Sequence, residues 1–271
     1  MNAFVNHFSF EFRTGIRNRT LLLLNYLFPL GFYAMMGLIM TQINPLFLET
    51  MIPAMVVFAI LAATMLGLPD PLVTAREAGI LRSYKINGVP AFSILIIPAL
   101  TAILHAAVLA TIITATAPLF FDAPTPVNWP GFVLTFLLTA FACAGLAVLI
   151  GVISPSSRMT VLWSQLIFLP SMMLGGMTGL PSSMLPEAMR RIAQFLPATQ
   201  AMNAFRGLAQ DLAPDFDPVG SLIILLAGGV LAFGLAIYLF NWDRHNTTQR
   251  GHPLLALLAL LPYAVGILLL P

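Results

Sequence analysis

Apolar residues in this chain come in long blocks instead of at alternating spacing. Seven blocks, at about 21 to 40, 52 to 69, 91 to 121, 131 to 153, 159 to 180, 221 to 240 and 253 to 270, approach or exceed the about 20 residues a helix needs to cross a hydrocarbon core. No water inside a bilayer satisfies bare backbone groups, so blocks of this length predict transmembrane helices. The expectation is an all-α integral membrane protein with six or seven spans in a single transmembrane domain over residues 1–271. Ahead of the first block, Phe4, Phe8, Phe12 and Ile16 recur every fourth residue, with Glu11, Arg13 and Arg17 elsewhere around the same helix. That pattern predicts an amphipathic helix over 1–19 lying in the membrane interface. It holds no uninterrupted apolar core of the kind a cleaved signal peptide carries.

Composition agrees with the pattern. Residues are 59% hydrophobic and 8% charged, with a mean hydropathy of +0.93; a soluble domain carries about 25% charged residues. A water-soluble fold is therefore excluded. The net charge of +2 is too small to argue for a nucleic-acid partner, and the basic residues read as topology signals. With the N-terminus in the cytoplasm, the inner connections hold Arg13, Arg17, Arg19, Arg76, Arg82, Lys85, Arg158, Arg244 and Arg250. The outer ones hold Arg190, Arg191 and Arg206 among Glu49, Asp122, Glu187, Asp211, Asp215 and Asp217. This asymmetry places the N-terminus inside. The last block, 253–270, is broken by Pro262; the expectation is that it crosses, the alternative that it packs obliquely against the bundle.

Two polar connections are informative. In the first, residues 71–90, Thr74 and Glu77 form a Ser/Thr-x-x-Glu capping box, and Gly88 followed by Pro90 supplies a stop, predicting one cytoplasmic helix over 74–88. Ile80, Leu81 and Tyr84 cluster on it at helical spacing, rimmed by Arg76, Arg82 and Lys85. Such a patch suits a protein partner; the alternative is a helix resting on lipid headgroups. In the second, Gly175 to Pro197, Pro186 suits a first turn and Leu185, Met189, Ile192 and Leu196 fall on one face, opposite Glu187, Arg190, Arg191 and Gln194. A further helix from Thr199 to about Gln210 completes a helical hairpin at the outer mouth, acting as gate or as lid.

Catalytic chemistry is missing from the pattern. Lys85 is the only lysine, and no Gly-x-x-x-x-Gly-Lys loop cradles phosphates. His7, His105, His245 and His252 fall in different environments without a His-Glu-x-x-His pair, and Ser154, Ser156 and Ser157 read as a turn around Pro155. No metal site is expected. No Asp, Glu, Lys or Arg lies deep in a span, which disfavours an ion-coupled secondary transporter. The only ionisable group deep in a span, apart from the weakly acidic thiol of Cys143, is His105, expected to hydrogen-bond to a neighbouring helix in preference to relaying protons. Cys143 has no disulfide partner and reads as a small core residue. The 14 Met residues are dispersed and read as packing. Gly228, Gly229 and Ala232 predict a close helix contact, within the chain or at a dimer seam.

Together these elements resemble the permease subunits of type-2 ATP-binding-cassette exporters. The first connection is similar to that family's Arg-Glu-x-Gly-x-Leu signature at Arg76, Glu77, Gly79, Leu81, Arg82, Lys85, Gly88 and Pro90. The second is similar to its outer signature from Gly175 through two Leu-Pro steps to Ala-x-Arg at Arg206. The resemblance covers about residues 1 to 250; the apolar segment 253–271 departs from the family's usual six spans. It implies a six-helix permease core in a bacterial or archaeal cytoplasmic membrane, in contact with membrane lipid. It also implies a second permease copy, most simply as a homodimer, and a separate ATPase subunit that holds ATP and magnesium, this chain needing no cofactor. Thr74, Arg76, Glu77, Gly79, Ile80, Leu81, Arg82, Tyr84, Lys85 and Gly88 would couple to the ATPase. Gly175, Gly176, Pro181, Pro186, Met189, Ile192, Leu196, Pro197 and Arg206 would form the outer gate. The implied activity is export of an amphipathic or hydrophobic substrate such as a drug, lipid, peptide or lipid-linked glycan. The alternatives are an ion-coupled transporter or a non-transporting accessory protein.

Overall fold

Helices are what an apolar chain forms when each backbone N–H must find its acceptor within its own segment, and helices joined by short connections, with no strand, make up the described residues of the computed structural model, 8–9, 12–13, 17–178, 184–243 and 251–269. Of the amphipathic N-terminal helix, Phe8, Ser9, Phe12, Arg13 and Arg17 are described and helical; Phe4, Glu11 and Ile16 lie outside the described residues. Helix α1 runs Arg19–Ile43, capped by the Asn18 side chain, which accepts from the Thr20 and Leu21 amides. Its second turn is a π-helix, Leu23–Leu27. Pro29 follows four residues after Asn25 and has no N–H to return to its carbonyl, so the ladder widens there.

Helix α2, Phe47–Leu61, is the axis of the bundle; every residue from Met51 to Met65 is buried. It passes through a second π-helical stretch, Ala62–Leu66, then turns at Gly67 and Leu68 into α3, Pro69–Glu77, and α4, Ile80–Ile86. Around the axis stand α5 (Ala91–Phe121), α6 (Trp129–Ile153), α7 (Ser157–Leu174) and α10 (Pro218–Leu239), with the short α8 (Glu187–Ala193) and α9 (Pro197–Leu208) at the end opposite α3 and α4. The chain ends in a 3₁₀ stretch, Pro253–Leu260, and α11, Leu261–Leu269.

Among the described residues five helical segments are long and apolar enough to cross a membrane: Arg19–Ile43, Phe47–Glu77, Ala91–Phe121, Trp129–Ile153 and Pro218–Leu239. Helix α7 stops at Leu174, short of the expected 180, because Gly175 closes it and Gly176 turns with φ 77°. Within it, Arg158, Ser164 and Gln165 dilute the apolar block.

Lipid tails are as apolar as leucine, so helices in a bilayer associate through close packing at small residues. The broadest contact, between α6 and α10, is of this kind. A Cβ at Gly145 would lie 3.0 Å from the Gly229 carbonyl oxygen, and one at Gly229 would lie 2.5 Å from the Phe141 ring, which stacks on Phe233 at 5.1 Å. Gly228 has a different partner. A Cβ there would meet the Tyr263 ring at 2.8 Å, so of the two expectations for this glycine the contact within the chain is the one observed.

The C-terminal segment climbs α10 in the opposite direction. Gly251 sits beside Tyr238 and Leu239, Tyr263 fills the notch at Gly228, and Gly266 presses on Ile224. Tyr263 is fully buried, with a hydroxyl that has no hydrogen-bond partner among the described residues. Removing that hydroxyl relieves a buried polar group, whereas removing the ring opens a cavity. Tyr263→Phe is therefore expected to melt within about 1 kcal/mol of the parent in detergent, and Tyr263→Ala to lose about 3–5 kcal/mol, measured by thermal unfolding of the purified protein.

Candidate functional site

The segment 69–90 acquires its shape from proline, glycine and one arginine. Helix α3 starts at Pro69, whose missing N–H costs nothing in a first turn, with Asp70 placed favourably at the positive helix end. This corrects the expectation of a capping box. Thr74 lies in the body of α3 and bonds instead to Ser157 across to α7, Oγ to Oγ at 3.3 Å. The sequence signal for the true start was Pro69-Asp70-Pro71, which reads as a loop when Pro is taken only as a breaker.

The single expected helix over 74–88 is in fact two. Helix α3 ends at Glu77, Gly79 takes φ 72° with nothing near its Cβ position, and α4 begins at Ile80. Glycine is needed there for backbone conformation alone. At the far end the expected stop holds: Gly88 has φ 74°, its N–H donates to the Lys85 carbonyl at 3.1 Å, and the Val89 N–H reaches the Tyr84 carbonyl at 3.0 Å.

Arg76 is not part of an exposed rim. Its guanidinium reaches across to the end of α6, donating from Nη1 to the Val152 carbonyl at 2.8 Å and from Nη2 to the Ser154 carbonyl. The last carbonyls of a helix have no partner within it and carry its negative dipole end, so a planar cation with forked donors suits them. Leu81 is buried at 2% exposure and anchors α4 to the bundle, and Tyr84 is half-buried. The expected apolar patch is corrected accordingly. What α4 leaves uncovered is Ile80 and Ile86, the latter 78% exposed, with Lys85 and Arg82 exposed beside them. Arg82 lies 3.8 Å from the Asp243 carboxylate, while Glu77 is exposed at the end of α3.

A cavity of about 130 Å³ lies between α1, α3, α4, α5 and the π-helical stretch that follows α2, lined by Asn25, Tyr84, Thr101 and His105 among apolar neighbours. His105 does bond to a neighbouring helix: its Nδ1 is 2.6 Å from the Tyr26 hydroxyl, and the Phe12 ring stacks on it at 4.9 Å. Asn25 Oδ1 and His105 Nε2 are buried without partners among the described residues, a setting with the polar groups and room that ordered water requires. Asn25 also approaches the backbone at Gly67, where a Cβ would lie 3.0 Å from Oδ1. The cavity itself was not foreseen; His105 and an Asn in the first apolar block were its signals.

At the opposite end, Gly175 permits α7 to abut α9, a Cβ there meeting Ala198 at 2.9 Å. Pro186 and Leu196 precede α8 and α9 as their N-caps, Pro197 opens α9, and Pro181 lies outside the described residues. Met189 and Ile192 point away from the bundle, exposed, and Ala193 is the residue of α8 that is buried. Helix α9 is not a superficial cover: Pro197, Ala198 and Gln200 through Phe205 are buried against α2, α6 and α10. Arg206 pairs with Asp215 at 3.5 Å. The residue that organises this end was missed. Asn203 donates through Nδ2 to the Phe216 carbonyl at 2.9 Å and Ser221 Oγ at 3.0 Å, and its Oδ1 accepts from the Asp215 and Phe216 amides. A polar side chain in the Ala- and Met-rich stretch before Arg206 was the available clue.

Among the described residues no three His, Cys, Asp or Glu side chains gather as a metal site would require. The two clusters lie at opposite ends of one bundle. Neither a characterised protein nor a solved structure matches the chain significantly. A family model described as ABC-2 type transporter matches residues 4–209, well over half of the chain and inclusive of both clusters. The protein therefore belongs to the ABC-2 type transporter family, as a multi-pass membrane permease subunit.

Proposed function

We propose that this permease exports an amphipathic or hydrophobic substrate with energy from ATP hydrolysed by a separate ATPase subunit, α3 and α4 receiving the ATPase's motion. The observation that carries the reading is the Arg76 bridge. A lever must be fixed at one end and free at the other. Arg76 and Leu81 fix α3–α4 to α6 and the bundle, while Ile80, Arg82, Lys85 and Ile86 remain available to a groove in a partner. The absence of a phosphate-binding loop from the sequence is consistent with hydrolysis elsewhere.

In this reading the excess of Arg and Lys near α3–α4 sets that end in the cytoplasm, with the N-terminus. A second permease copy covers part of the apolar surface left open on α1, where Leu27, Leu38 and Ile43 are exposed. The 3₁₀ stretch of eight residues and the nine residues of α11 rise about 2.0 and 1.5 Å per residue, together about 30 Å, the thickness of a hydrocarbon core. The C-terminal segment therefore crosses, alongside α10, and ends outside.

Two outcomes follow. In vesicles holding the permease and its cognate ATPase, Ile80→Asp with Ile86→Asp is expected to abolish co-purification of the ATPase. Arg76→Ala should retain the ATPase yet lower permease-stimulated hydrolysis at least about fivefold, since loss of the partner of desolvated carbonyls costs about 1–3 kcal/mol. Full stimulation in both variants would remove α3–α4 from the coupling path. Separately, a cysteine tag after Pro271 should react with a membrane-impermeant maleimide added outside intact cells; labelling only after permeabilisation would return the segment to an oblique position.

A further inference from the structure

A groove of about 900 Å³ opens at the α3–α4 end of the bundle, between the last turns of α6 and α10, the start of α7 and the 3₁₀ stretch. Its walls are apolar, with Leu149, Ile153, Trp163, Leu166 and Leu257 among them. Three elements measure its depth independently. On α6 it runs from Leu146 to Ser154 and on α7 from Met159 to Ile167, each about 12 Å at the α-helical rise. Along the 3₁₀ stretch it runs from Pro253 to Leu260, about 14 Å at that helix's rise. One leaflet's share of the hydrocarbon core is about 15 Å.

The groove is polar at one end only. Arg76, Lys85 and His252 line it there, with Ser154, whose Oγ is buried and has no hydrogen-bond partner among the described residues. The carboxylate at this end, Asp243, lies 3.8 Å from Arg82, so the side facing the groove is cationic on balance. Trp242 lies at the same end, beside Asp243, as aromatic side chains do at the level of headgroups. Leu166, Leu254 and Leu257 remain exposed in the groove, and at this depth in a bilayer the molecule that covers them is a lipid.

We infer that this groove is a binding site for one anionic phospholipid of the leaflet nearest α3–α4. An acyl chain lies between α7 and the C-terminal segment, and the headgroup phosphate rests by Lys85 and the Ser154 hydroxyl, the Arg76 guanidinium being committed to the α6 carbonyls. The site depends on the C-terminal segment for one wall, and it holds whichever side of the membrane α3–α4 faces.

The test uses the purified, delipidated permease alone, titrated with phosphatidylglycerol or phosphatidylcholine of identical chains and read by native mass spectrometry. The first phosphatidylglycerol is expected to bind about fivefold more tightly than phosphatidylcholine, the preference that one cation near an anionic surface provides. Lys85→Gln should erase the preference, and Leu257→Trp, which fills the groove at mid-depth, should lower occupancy by both lipids. Glycerol phosphate without acyl chains should not compete. Equal binding of the two lipids by the parent protein would overturn the proposal without recourse to any variant. Unchanged phosphatidylglycerol occupancy in a Leu257→Trp protein that elutes as the parent does, or competition by glycerol phosphate at matched concentration, would overturn it as well.

Discussion

The carbonyl groups that end a transmembrane helix are a fixed electrostatic demand, and in this protein Arg76 answers it for α6 from another part of the chain. Those carbonyls cannot bond within their own helix, and burial beside α3 limits their access to water. A guanidinium satisfies two at once. The segment that leaves the bundle at Pro69 is returned to it at Arg76, so α3 is bonded to the end of α6 and is not a loose connection. Thr74 against Ser157 and Leu81 in the core secure the same piece from its other sides. Gly79 then allows α4 to present Ile80 and Ile86 outward.

From α6 the constraint passes into the bundle through small residues. Gly145 and Gly229 bring α6 and α10 to backbone contact, and in a bilayer such contact, not apolar area, is what holds helices together. Helix α10 begins in the network centred on Asn203, which ties it to α9 at the far end. A continuous path of packed elements therefore joins α3–α4 to the α8–α9 hairpin. Tyr263 in the Gly228 notch adds the C-terminal segment to that path, beside the helix that carries it.

Length and hydropathy made the long helices legible, because membrane burial leaves an unbroken apolar signature. Helices α5, α6 and α10 lie within a few residues of their expected bounds. What misled was local chemistry with more than one meaning. Thr74 and Glu77 match a capping box, yet Pro69 starts the helix earlier and leaves Thr74 free to bond to α7. Leu81 and Ile86 look alike in a helical pattern; only the tertiary contact of α4 decides that Leu81 is anchor and Ile86 is surface. Arg76 reads as a topology charge because nothing in one sequence reveals that the α6 terminus lies within its reach. Asn203 and the polar cavity at Asn25 and His105 could be marked as unusual intramembrane polar groups, but their partners come from residues far along the chain. The Gly228 notch was visible, while its occupant, 35 positions later at Tyr263, was not.

The central claim is that α4 is the surface through which energy enters the permease. A photo-crosslinking amino acid placed singly at Ile86, and as a control at Ile192 on α8, tests it directly in membranes that contain both the permease and its ATPase. Both positions are exposed, so reactivity alone does not favour either. The account predicts an ATPase adduct from position 86 and none from position 192. An adduct from 192 with none from 86 would contradict it.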